Sequence, residues 1–103
     1  METFKISKIG KDSVVSTEDV QGERITIANV QAFIFKEEEV DDDWGGLDYW
    51  NCSHLETGMR MASGFDKDIV ISEATRKLNQ YPETIEKGRQ ILISKGITLP
   101  INK

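Results

Sequence analysis

The chain has 103 residues, enough for one domain and too few for two. At 38% hydrophobic residues it can fill one modest core, and its single cysteine, Cys52, excludes an intrachain disulfide. Net charge is −5 and unevenly spread: residues 1–56 hold 13 acids and 5 bases, residues 57–103 hold 5 acids and 8 bases. The acidic half opposes nucleic-acid phosphates, which weighs against whole-domain nucleic-acid binding. The same asymmetry favours a basic protein partner, or head-to-tail contact in a homodimer.

The N-terminal METFKISKIGKDS alternates apolar and polar residues and has no apolar leader core. No stretch approaches the roughly 20 apolar residues of a membrane span, so the expected setting is the cytoplasm. Thr3 to Ile9 reads as a first strand and Gly10-Lys11-Asp12 as a turn. Ser13 to Ser16 reads as a short second strand, and the polar stretch Thr17 to Gly22 as a loop. In the segment 23–38 the apolar parity switches near Ala28-Asn29, which predicts a bulge or a turn between two short strands. Residues 30–35 are apolar on both faces, which places them at the sheet centre.

Residues 47–64 form a second hairpin pattern. Leu47 to Leu55 and Met59 to Ala62 flank Glu56-Thr57-Gly58, where the glycine can take a positive φ. One face of the first arm carries Leu47, Tyr49 and Leu55, the other Trp50, Cys52 and His54. The period then becomes helical. Val70, Ala74, Leu78 and Tyr81 keep one face, with Asp66 or Ser63 as the cap. Pro82 opens a second helix that turns Ile85, Gly88, Ile91 and Leu92 inward and stops at Lys95-Gly96. The expected fold is α+β: an antiparallel sheet of four or five strands, then two helices on one of its faces. It is one domain, with strands over 1–63, helices over 64–96 and a short extended tail over 97–103.

Between the hairpins lies KEEEVDDDWGG, in which six of the seven residues 37–43 are acidic. As a calcium loop it fails: with Asp41 first, the fifth place is Gly45 and the twelfth is Cys52, where a bidentate glutamate is required. The plain reading is a solvated, self-repelling connection. The functional reading is a recognition surface made of Glu37, Glu38, Glu39, Asp41, Asp42, Asp43 and Trp44. Carboxylates on one side of an extended strand repeat at about 6.6 Å, a spacing that can occupy a phosphate-binding groove lined by Arg and Lys. Trp44 supplies an aromatic anchor. Trp50, His54 and Arg60 form a second candidate surface if the even-numbered face of the first hairpin arm points outward.

Cys52 and His54 share a strand face, the minimum for a thiolate nucleophile, but nothing supplies a third member. One cysteine and one histidine do not make a zinc site. The glycines match neither a P-loop nor a dinucleotide fingerprint, so no metal or cofactor is expected. Trp50-Asn51-Cys52-Ser53-His54, then Thr57-Gly58, Met59 and Met61, and Gly64 before a helix resemble a pattern in small proteins carried by bacteriophages and prophages. The resemblance spans residues 49–80, departs at Cys52, where a β-branched residue is expected, and excludes the acidic run. It implies a bacterial host and transfers no catalytic residue. The combined expectation is a non-enzymatic protein-interaction module that presents an acidic surface to a basic, nucleic-acid-handling or defence protein of the host, in the manner of an inhibitor. The alternative is a DNA- or RNA-contacting accessory domain that uses the basic helical half.

Overall fold

The computed structural model describes residues 2–12, 14–37 and 48–102. Five strands run in chain order across one antiparallel sheet: β1 (Glu2–Ile9), β2 (Val15–Ile27), β3 (Val30–Lys36), β4 (Trp50–His54) and β5 (Arg60–Gly64). Two helices follow, α1 (Lys67–Gln80) and α2 (Glu83–Ser94). The α+β class expected from the order of periodicities is the observed one.

β2 differs most from the sequence reading. Thr17 to Gly22 is not a loop but the middle of a 13-residue strand. Its polarity reflects an exposed ribbon: the first half of β2 pairs only with β1, and Lys5–Asp19 and Lys8–Glu18 tie the two strands from outside. At Gly22 the strand changes partner, facing Glu2 on one side and Phe35 on the other. A Cβ there would stand 2.5 Å from the Ile34 carbonyl oxygen, so the crossing requires glycine. The parity switch at Ala28-Asn29 resolves as a two-residue turn with both residues at positive φ (49° and 67°), the geometry that suits the strand twist in tight hairpins.

β3 is the central strand and is buried on both faces. Ala32 and Ile34 join Ile27, Cys52 and Ala62 beneath Val70, Ala74 and Leu78 of α1. Phe33 and Phe35 face the other way, with Phe4, Ile6 and Leu55. The Phe4 and Phe33 rings stack at 4.5 Å, so the β1–β2 ribbon arches over the sheet face that the helices leave open.

The C-terminal tail holds that arch. Asn102, expected in a plain extended tail, is buried and makes three hydrogen bonds. Its Oδ1 accepts from the Lys5 N–H at 2.6 Å, and its Nδ2 donates to the carbonyls of Lys5 and Leu55 at 2.8 and 2.9 Å. Gly58, at φ +69°, accepts from the Ser7 N–H at 3.0 Å. α1 is capped by Asp66, whose carboxylate accepts from the Asp68 and Ile69 N–H groups. α2 ends as expected, with Gly96 at φ +81° and the Ile97 N–H returning to the Leu92 carbonyl. Two helical residues expected to face inward do not: Tyr81 and Ile91 are exposed, because α1 ends at Tyr81 and α2 meets the hairpin through Gly88 and Leu92.

Candidate functional site

Of the acidic surface expected from the sequence, Glu37 is described. Glu38, Glu39, Asp41, Asp42, Asp43 and Trp44 lie outside the described residues. The described residues on either side of that segment lie next to each other in the sheet. The Glu37 N–H donates to the Tyr49 carbonyl at 2.8 Å, just beyond the last rung of the β3–β4 ladder, Lys36 opposite Trp50. Glu37 and Tyr49 therefore stand side by side at one end of the sheet. Among the described residues, Lys36 reaches Asp48 at 3.7 Å and Lys8 reaches Glu18 at 2.6 Å.

Glu37 also lines a groove of about 750 Å³ between the β1–β2 ribbon and the open face of β3, β4 and β5. The apolar part of its lining comes from Ile6, Ile9, Val20, Phe35 and Met59. β4 contributes two buried polar side chains, Asn51 (5% exposed) and Ser53 (1%). Asn51 Nδ2 donates to Glu37 Oε2 at 3.4 Å, which ties the first carboxylate of the acidic run to the groove wall. Sequence reading missed this groove, because it exists only through the arching of β1–β2 and the clasp made by Asn102, some 97 residues from Lys5 in the chain. The available signal was polar Asn51 and Ser53 alternating with Trp50, Cys52 and His54 on a strand that is buried on both faces.

The second candidate surface does not assemble as expected. Trp50 and His54 share the helix-side face of β4 with Cys52, and that face is core. Trp50 is half-buried against it, with Lys67 Nζ 5.3 Å from its ring centroid. His54 is 7% exposed. Of the three, Arg60 alone is exposed; it lines the groove and also a second cavity, to which His54 contributes. Tyr49, on the opposite parity, packs edge-on against Phe65 at 5.1 Å.

Cys52 and His54 are same-face neighbours but do not make a nucleophile. Cys52 is fully buried and burial pushes its thiol up to about 12, so the thiolate is absent at neutral pH. The His54 ring engages the Thr57 hydroxyl through Nδ1 at 3.0 Å. Burial lowers its pKa below the ordinary value; nearby Glu56 opposes that shift and Arg89 reinforces it. Arg89 itself grips Glu56 at 2.7 Å and also Glu86, which holds its guanidinium above its usual range. No group of three or more His, Cys, Asp or Glu side chains among the described residues could hold a metal ion. No helix among them is long and apolar enough to cross a membrane.

No family model matches the chain, and neither a curated protein nor a solved structure matches it.

Proposed function

We propose that this protein is a non-enzymatic interaction module whose binding region is the acidic run 37–43 with Trp44, together with the adjoining groove. The observation that carries this reading is the position of Glu37, at once the first residue of the run and a wall of the 750 Å³ groove. A partner that pairs its Arg and Lys side chains with the run has a recess beside it for an apolar or polar side chain. The fitting partner is a basic protein, of the kind whose cationic channel otherwise takes nucleic acid. The resemblance over residues 49–80 favours a bacteriophage or prophage origin, and hence a host defence or nucleic-acid-handling protein as the target. The buried, protonated thiol of Cys52 supports a binding role over thiol chemistry.

The test replaces Glu37, Glu38, Asp41 and Asp42 by their amides. Immobilised wild-type protein is expected to retain basic bacterial proteins, and to release them with rising salt or added duplex DNA. The amide variant is expected to lose them. Retention of the same proteins by the variant at the same salt overturns the reading. Tight binding of labelled duplex DNA by the wild-type protein at low salt would move the assignment to the nucleic-acid alternative.

A further inference from the structure

A second cavity, of about 430 Å³, opens between the β4–β5 hairpin and the two helices; Met59 and Arg60, at the edge of the sheet, line both it and the groove. Its apolar walls are Met59, Met61, Leu78 and Ile85, and the absence of a side chain at Gly88 of α2 lets the Met59 sulfur pack against that helix, where a Cβ would stand 2.6 Å from it. Three cations line it, Arg60, Arg76 and Lys77, and no carboxylate does so among the described residues. In a chain of net charge −5 this is a local reversal of sign. Arg76 is steadied by Glu73 and Gln80, and Lys77 donates to the Met61 carbonyl, so both are held at the rim. Arg60 has no ion-pair partner among the described residues.

His54 adds an independent observation. It is more than nine-tenths buried, and its Nδ1 is taken by Thr57. Thr57 Oγ1 already accepts from the Met59 N–H at 3.2 Å. The arrangement that satisfies both groups has the hydroxyl donating to Nδ1, which leaves an N–H on Nε2. Nε2 has no protein partner among the described residues, yet no buried side-chain nitrogen or oxygen is left unpartnered. Nε2 therefore keeps some access to solvent, and His54 is part of the lining of the second cavity.

We propose that this cavity is a binding site for a small amphipathic carboxylate, with its apolar body against the two methionines, Leu78 and Ile85 and its anionic head among Arg60, Arg76, Lys77 and the His54 Nε2–H. The volume lies within the range of small-ligand sites. Paired cations and an imidazole donor recognise a carboxylate by charge-assisted hydrogen bonds. The proposal is independent of the acidic run.

The test uses the full chain and proton NMR. His54 is its only histidine, so the imidazole resonances identify themselves. Octanoate is titrated beside 1-octanol and octylammonium, against wild type and the Arg60→Gln/Lys77→Gln double variant. Octanoate is expected to shift the His54 resonances saturably, with 1-octanol at least about fivefold weaker and octylammonium weaker still. The double variant, altered only at the rim, is expected to bind octanoate about three- to tenfold more weakly. The proposal is overturned if no saturable shift occurs, or if the three probes bind alike. It is also overturned if a peptide of residues 36–46 displaces octanoate at lower concentration, which would make the cavity a self-association site for the chain's own acidic run.

Discussion

Two glycines at positive φ separate backbone strain from the closing of the groove. Gly96 stands at φ +81° with nothing within 4 Å of where a Cβ would be. Gly96→Ala therefore costs only the left-handed conformation, about 1–2 kcal/mol. Gly58 stands at φ +69° with the β1 backbone against it. A Cβ would lie 2.6 Å from the Lys5 carbonyl oxygen, 3.0 Å from the Ser7 nitrogen and 3.1 Å from the Ile6 Cα. Backbone cannot rotate aside as a side chain can, so β1 must lift from the β4–β5 turn. That movement breaks the Ser7 N–H bond to Gly58 and the Ser7 hydroxyl bond to the Thr57 carbonyl, at about 1 kcal/mol each. Gly58→Ala is expected to lose about 3–4 kcal/mol in all, roughly 2 kcal/mol more than Gly96→Ala. Urea unfolding followed by tryptophan fluorescence and far-UV circular dichroism measures both. Equal losses for the two variants would refute the claim that the Gly58 contact closes the ribbon over the sheet.

Three further expectations follow from the same geometry. Asn102→Ala strips partners from Lys5 and Leu55 and is expected to cost about 2–4 kcal/mol; accelerated amide exchange at Lys5 would report the freed ribbon, and unchanged exchange would remove the clasp from the account. His54 is held below its ordinary pKa in the folded protein, so the unfolded chain takes up its proton first as pH falls. Stability is full above about pH 6.5 and is lost between there and the lower folded pKa; His54→Gln should flatten that slope in denaturant midpoints measured from pH 7.5 to 5. The Cys52 thiol, with its pKa near 12, is expected to resist an aromatic disulfide reagent at pH 8 until urea unfolds the chain, and reaction at the rate of a free thiol would contradict its burial.

The fold was legible where periodicity and turn chemistry agree. The central placement of residues 30–35, the turn at Ala28-Asn29, the Asp66 cap and the Gly96 stop are all local signals that tertiary packing reinforces. Thr17 to Gly22 was illegible for the opposite reason. A strand paired on one side in an exposed ribbon needs no hydrophobic alternation, and its polar residues mimic a loop. Of the site, the acidic run was evident as composition. Its neighbour, the groove, depends on contacts between residues 5, 7, 58 and 102 that no local pattern encodes. Trp50 and His54 misled because both faces of β4 are covered, one by the helices and one by the ribbon, so its parity does not separate inside from outside.

The two sides of β4 also bear on where a partner binds. On the helix side every other position is given to packing: Trp50 against the core, Cys52 fully enclosed, His54 held by Thr57. On the ribbon side the same strand carries Asn51 and Ser53, nearly as buried but polar. A surface selected only for stability would place apolar groups there, since Phe33 and Phe35 lie on the neighbouring strand and Phe4 already stacks across. Polar groups in such a position retain their hydrogen-bonding capacity within a recess that other molecules can enter. One of them, Asn51, spends part of that capacity on Glu37, the residue from which the acidic run departs. Under the proposed function, groove and run form one binding region joined at Glu37, with Asn51 as the polar wall beside the carboxylates.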